Sequence, residues 1–510
     1  MKLSRILLIW TITISLSLAI LPPSTDAQRQ LRKPRISKAD QAALDRISAS
    51  TLLDHLSFIA SDQLEGRDSP SIGLNIASEY IAKHFKQAGL EAIGDDGYFQ
   101  TATVIQIPQP EGFSLTIKWR GASLNVAADQ VSLIAETPVE ISDANLYKLS
   151  AQDPAKFASI ASDQVTGQVI LIERGNGWGP LLRLLPVLRP AFVLIMDSQL
   201  IGGPAVAKHR LIDFDEEKLE HAASDVPFLR INNPQVFEMF KDMAPGMTDA
   251  KLSLHAQSSV PKAVKLRNVV GLLRGSDPVL RNTYVLVTAH YDHLGVDGSG
   301  RIYNGANDNG SGTVSVMELA SALSAKAGRL KRSVVFITFF GEEKGEVGSK
   351  YYVRHPILPL EKTIAVVNLE QLGRTDSLEG PQIASATVTG FDFSDATAAF
   401  KAAGKITGIR IYKHELFSDR YFLRSDNGPF AESGIPAHTI GVLFQYPDYH
   451  ALGDKANKID YDNMAKVNRM LALALIRLAN AHTIPKWNER NVQTAVYVEA
   501  WKKRHPSKAQ

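Results

Sequence analysis

Four short segments of this chain each carry a side chain able to bind a metal ion, and their order along the sequence is the first clue to chemistry. YVLVTAH ends at His290, the glycine-rich NGANDNGSG carries Asp308, VVFITFFGEE carries Glu342 and Glu343, and AVVNLE ends at Glu370. YPDYH adds His450 further on. Carboxylates mixed with imidazole suit Zn²⁺ or a similar divalent ion, and in open α/β sheets sites assemble where strands end. The set implies a hydrolase that works with two metal ions.

Each residue type carries its own argument. His290 is the expected ligand in HYDH, and Asp292, two positions on, is placed to hydrogen-bond the second ring nitrogen and fix its tautomer. His293 reads as structural or pocket-lining. Asp308 lies in a loop from Asn304 to Gly312 with three glycines, where the backbone turns sharply and a carboxylate can bridge two ions. Glu342 and Glu343 are adjacent, so on an irregular turn they diverge, one toward metal and one toward the attacking water as its proton acceptor. A merely solvating pair rarely follows an apolar strand and a glycine. His450 is the remaining imidazole ligand, and the neighbouring Tyr449 hydroxyl can donate to an oxyanion.

These residues need strands to carry them. From Leu266 onward the pattern alternates strands with helices: Asn268 to Leu273, Tyr284 to Ala289, a helix near Thr313 to Ala327, Ser333 to Phe340, Thr363 to Leu369, and a Leu- and Ala-rich helix near Asp462 to Ala481. Nearly continuous apolar strands imply an α/β fold with a mostly parallel mixed sheet sandwiched by helices. Upstream, Leu52, Leu56 and Ile59, then Ile76, Tyr80, Ile81 and Phe85, recur at helical spacing on either side of an EGR loop, a pattern of core packing. Between about Val126 and Gln257 short β-like runs (Val169 to Glu173, Phe192 to Met196, Val226 to Ile231, Lys251 to His255) imply a β-rich inserted domain. The segment after Pro485 reads as a partly mobile tail. The expected division is 1–27, 28–125, 126–257, 258–485 and 486–510.

Bulk properties remove several alternatives. At 510 residues the chain exceeds the usual reach of one hydrophobic core. The net charge is +3 with basic residues scattered, which argues against nucleic-acid binding. With no cysteine, disulfides, thiolate metal sites and a Cys nucleophile are excluded. Lys2 and Arg5, the apolar run Ile6 to Leu21 and the small-residue site at Ala27 have the layout of a secretory signal peptide, so export to a periplasm or the medium is expected. That run falls short of the roughly 20 residues of a spanning helix, so no stable membrane span is expected after cleavage.

In HYDH, NDNGSGT, FGEEKGEVGS, NLEQLGR, RSDNGPF and YHALGDKANKIDY, in that order, the chain resembles the M28 family of co-catalytic zinc peptidases, chiefly aminopeptidases. The inserted block, with VTGQVILIERG, resembles a protease-associated domain. The resemblance implies two Zn²⁺ per chain, one held by His290, Asp308 and Glu370 and the other by Asp308, Glu343 and His450. It makes Glu342 the general base, and the substrate a peptide with a free N-terminus. Three positions depart from the family pattern: Glu370 stands where Asp is usual, Asn427 where His is frequent, and Ala451 where Thr is frequent. Two rivals remain. One is a single-zinc aminoacyl (glutaminyl) cyclotransferase using Asp308, Glu343 and His450, or else a carboxypeptidase-type activity; the other is a metal-free binding module. Oligomeric state is not legible.

Overall fold

The computed structural model describes residues 36–108, 112–135, 137–149, 162–173, 187–196, 209–213, 226–231, 233–257, 262–326, 328–376 and 382–505. The expected signal segment therefore lies outside the described residues.

The chain enters through three helices, α1 (Lys38–Leu44), α2 (Ala49–Ile59) and α3 (Ile72–Gln87). Each starts at a serine whose hydroxyl accepts a backbone N–H of the first turn: Ser37 from Asp40, Ser48 from Thr51 and Ser71 from Leu74. The apolar stripe expected from the spacing is buried, with Leu52, Leu56, Ile59, Ile81 and Phe85 fully so. Strands β1 (Glu91–Ala92) and β2 (Phe99–Pro108) then join the main sheet.

A second, eight-stranded sheet follows. It comprises β3 (Ser114–Trp119), β4 (Ala122–Val126), β5 (Val131–Ile134), β6 (Val139–Leu149), β7 (Val169–Glu173), β8 (Phe192–Met196), β10 (Phe228–Ile231) and β11 (Gly246–Ala256), in the order β4-β3-β11-β6-β7-β8-β10-β5. Two short helices, α4 (Ser162–Val165) and α5 (Pro234–Phe240), accompany it. It has its own core around Leu171, Phe192, Leu194 and Phe240. This β-rich unit starts at Ser114, before the expected position 126, because β3 pairs with β4 on one side and with β11 on the other. One segment inside this stretch, β9 (His209–Asp213), instead pairs with β2 at the edge of the main sheet.

The main sheet is completed by β12 (Lys262–Leu273), β13 (Tyr284–His290), β16 (Ser333–Phe339), β17 (Thr363–Leu369), β18 (Ser385–Val388), β19 (Arg410–Tyr412) and β20 (Ala437–Gly441); β14 (Gly295–Val296) and β15 (Ile302–Tyr303) form a small ribbon. The order is β19-β18-β20-β17-β13-β16-β12-β2-β9. The centre, β20-β17-β13-β16, is parallel, and β12, β2 and β9 extend it antiparallel. Every residue of β16 and β17 is buried, as a sheet covered on both faces requires. One face carries α6 (Gly312–Ser324), α8 (Thr397–Thr407) and α10 (Tyr461–Asn480) with the N-terminal helices. The other carries α7 (Val347–Arg354), α9 (Asn427–Glu432) and α11 (Ala495–Arg504). The fold is α/β, a mixed sheet between helical layers.

The region after Pro485 corrects an expectation. Trp487 donates its indole N–H to Gly434 O at 2.7 Å, and Trp487, Tyr497 and Val498 are buried against Phe422 and Phe430. The sequence there is polar overall, so the few apolar residues that anchor α11 are diluted in any window average. Residues 506–510 lie outside the described residues.

Candidate metal centre

Three adjacent parallel strands deliver the first donors. His290 closes β13, the central one. On one side β17 runs in register, with Thr288 opposite Asn368, so Glu370 emerges level with His290. On the other, His290 pairs with Phe339 of β16, and the chain passes Gly341 in a left-handed conformation (φ 68°) before presenting Glu342 and Glu343. His290 Nε2 lies 3.4 Å from Glu370 Oε1, 3.4 Å from Asp308 Oδ1 and 3.8 Å from Glu342 Oε2. It is completely buried and has no hydrogen-bond partner.

Asp308 sits in the turn Ala306–Ser311 ahead of α6. Its second oxygen, Oδ2, lies 3.0 Å from His450 Nε2, which is also 3.3 Å from Glu343 Oε2. The two oxygens of one carboxylate thus face different imidazoles, His290 and His450. The turn is tight because Gly305 is left-handed (φ 56°); a Cβ there would stand 2.3 Å from the His293 ring and from Asp308 O. Asn309 ties the same turn to the end of β17 by donating to Leu369 O at 3.0 Å.

Asp292 stands behind His290. The ring Nδ1 is 3.2 Å from Asp292 O and 3.5 Å from its Oδ1, while the same Oδ1 accepts Glu342 N–H at 3.2 Å. One residue therefore orients a donor imidazole and the glutamate loop. His293, set aside on sequence grounds, lies on Glu343, with Nδ1 2.8 Å from Oε1, and forms with Asp308 and Glu343 a group whose ligand atoms all lie within 4.8 Å. Glu343 is flanked by two imidazoles, His293 and His450.

The electrostatics are those of a cation site. Burial and Glu343 push the Asp308 carboxyl up, but His290 and His450 outweigh them and hold it at about 2. His450 is driven up to about 10: burial alone lowers it, and Glu343 and Asp308 more than reverse that. Against burial, which raises it, Glu343 is held well below the ordinary carboxylate range by His450 and His293. Burial, with Glu370, Glu343 and Asp426 adding to it and His290 opposing, raises Glu342 well above that range. Asp308, Glu342, Glu343 and Glu370 crowd one small volume, and burying like charges without counter-charge is costly. A hard or borderline divalent ion bound by oxygen and imidazole fits this donor set and the unpartnered His290 Nε2.

Tyr449 is half-exposed and stacks on the His450 ring, with centroids 4.0 Å apart. Both line a cavity of about 480 Å³ with Glu342, Glu343 and Glu370. Asn427 is not at the metal cluster. It donates to Phe422 O at 2.6 Å and accepts from the Thr439 hydroxyl at 2.8 Å in a buried polar network.

Two positioning groups escaped sequence reading. Arg67, of the EGR loop taken as core packing, is fully buried and donates to Tyr291 O (2.8 Å), Ile59 O (2.5 Å), Asn304 O (2.8 Å) and Gly305 O (2.9 Å). It binds the His290 loop to the Asp308 loop. Burial lowers its guanidinium to about 10, where it remains a cation at neutral pH. The other is Asp454, whose carboxylate accepts Asn307 N–H at 2.9 Å and Asp308 N–H at 3.0 Å. A lone arginine followed by Asp-Ser-Pro offers no periodicity to mark it. Asp454, four residues after His450, was visible only as part of a motif.

The chain is similar to several known proteins. A probable zinc metalloprotease of Leptosphaeria maculans is 27% identical over 270 residues, 45% of this chain and 61% of that protein. A probable leucine aminopeptidase 2 of Aspergillus oryzae is 27% identical over 255 residues, 43% of this chain and 46% of that protein. The chain spans about half the length of the curated relatives it matches. Among solved structures, an aminopeptidase from Aneurinibacillus sp. strain AM-1 superposes with a TM-score of 0.60 at 19% identity, covering 87% of this chain and 97% of the other, which shows a shared fold. The model of peptidase family M28 matches residues 268–475. Over those residues this chain is similar to peptidase family M28.

Proposed function

We propose that the protein is an exported exopeptidase that removes N-terminal residues from peptides with the help of two zinc ions. The observation that carries this reading is the division of Asp308 between His290 Nε2 at 3.4 Å and His450 Nε2 at 3.0 Å, which gives one carboxylate two cation positions. His290, Asp308 and Glu370 would hold one ion, and Asp308, Glu343 and His450 the other. Bound there, the pair supplies Lewis acidity that makes a water nucleophilic at neutral pH and polarises the scissile carbonyl.

The chain's own residues do the rest. Glu342, whose burial raises its proton affinity, accepts the proton of the attacking water and passes it to the leaving amine. Tyr449 lines the same cavity, and its hydroxyl would donate to the carbonyl oxygen as it gains charge. Asp292 keeps His290 in one tautomer and steadies the Glu342 loop. The β-rich unit would act as a protease-associated module. Export rests on the n-, h- and small-residue layout of residues 1–27. Among the described residues no helix is long and apolar enough to cross a membrane.

The test is hydrolysis of a panel of aminoacyl anilides by the purified protein, with chelation and zinc add-back. Activity lost on chelation and restored by zinc supports the reading. Hydrolysis only from the C-terminal end of peptides, or none with zinc bound, contradicts it.

A further inference from the structure

The cavity beside the carboxylate cluster carries a charge that hydrolysis does not use. Besides Glu342, Glu343 and Glu370 its lining includes His450, Thr439, Tyr421, Phe444 and Arg424. Arg424 is exposed, and its guanidinium carbon lies 5.0 Å from the Tyr421 ring centroid. Tyr421 is itself fixed, stacked on Phe417 at 4.8 Å and edge-on to Phe444 at 5.5 Å. Among the described residues no carboxylate lies within ion-pair distance of Arg424. That cation–π contact engages the guanidinium's charge and leaves its N–H donors without a carboxylate partner among the described residues.

A charge count gives this a direction. Bound divalent cations would offset the charge of Glu342, Glu343 and Glu370 on this wall, and Arg424 is the guanidinium there with no carboxylate partner among the described residues. A guanidinium in that position matches a carboxylate in a bidentate pair. Resting on the exopeptidase reading above, we infer that Arg424 is a specificity-determining residue that selects peptides bearing a carboxylate close to the free N-terminus. That carboxylate is either the side chain of an N-terminal Asp or Glu or the C-terminus of a dipeptide.

Two substrate pairs separate these sources in the zinc-loaded full chain. Glutamyl against leucyl anilide varies the side-chain carboxylate, and Leu-Gly against Leu-Gly amide varies the terminal one. In one pair the carboxylate-bearing member should be preferred in kcat/KM, and Arg424→Gln should cut that preference about tenfold, mainly through KM, with Arg424→Lys retaining part of it. Competition by free glutamate against leucine, and by Leu-Gly against its amide, measured calorimetrically in the Glu342→Gln background, reads the same ratios with turnover suppressed. Carboxylate-dependent binding without hydrolysis would count against the peptidase reading and leave this inference standing. A wild-type protein that favours neither carboxylate-bearing member, or ratios unchanged in Arg424→Gln, would overturn it.

Discussion

Asp454 grips the backbone of Asp308: its two carboxylate oxygens accept the N–H groups of Asn307 at 2.9 Å and of Asp308 at 3.0 Å, and Tyr446 donates its hydroxyl to the second oxygen at 2.9 Å. The residue whose oxygens face both imidazoles is thus held from behind by a buried carboxylate that is not itself in the donor set. Replacing Asp454 by Ala leaves two buried N–H groups unsatisfied, each costing roughly 1–3 kcal/mol. Thermal unfolding should fall accordingly, and zinc affinity should weaken more than in a core variant of equal stability. Asp454→Asn, keeping one acceptor, should lie between.

Arg67 supports the same loop from the opposite side through Asn304 O and Gly305 O, and reaches the His290 loop through Tyr291 O. Arg67→Met removes a buried cation that faces the Asp292, Asp454, Asp308 and Glu343 charges. Loss of a buried charged partner typically costs about 3–5 kcal/mol. Chemical denaturation should show a loss of that size, larger in zinc-free protein, where the carboxylates lack their other counter-charge.

Glu342→Gln removes the proton acceptor and leaves His290, Asp308, Glu343, Glu370 and His450 intact. Turnover should fall by about 10²–10⁴-fold while zinc content is unchanged. Near-native kcat with full zinc content would assign the base elsewhere.

Zinc uptake should release protons. In the metal-free protein Glu343 and Asp308 hold His450 charged up to about 10, yet only a neutral imidazole binds metal. Affinity should therefore rise with pH through the neutral range. Calorimetric titration in two buffers of different ionisation enthalpy should give net proton release, and a buffer-independent enthalpy would refute it.

What was legible in the sequence follows physical scale. β7, β8 and β17 match the expected runs because an apolar stretch bounded by polar turns is a local property, and the EGR loop lies between two helices as its spacing implied. The start of the β-rich unit at Ser114 was not legible, since partner choice between strands is set by register with β11, more than a hundred residues away. At the site, donor types were read from single residues at strand ends. Arg67 and Asp454 act on backbone carbonyls and N–H groups of distant loops, and such partners leave no mark in side-chain spacing. His293 was discounted for want of a local reason, and its contact with Glu343 arises only from the fold.

The central claim is that one carboxylate serves two cations. Anomalous diffraction recorded above and below the zinc edge from zinc-loaded crystals tests it most directly. Two peaks, one between Asp308 Oδ1 and His290 and one between Asp308 Oδ2 and His450, are expected. A single peak, or peaks away from Asp308, would contradict the account.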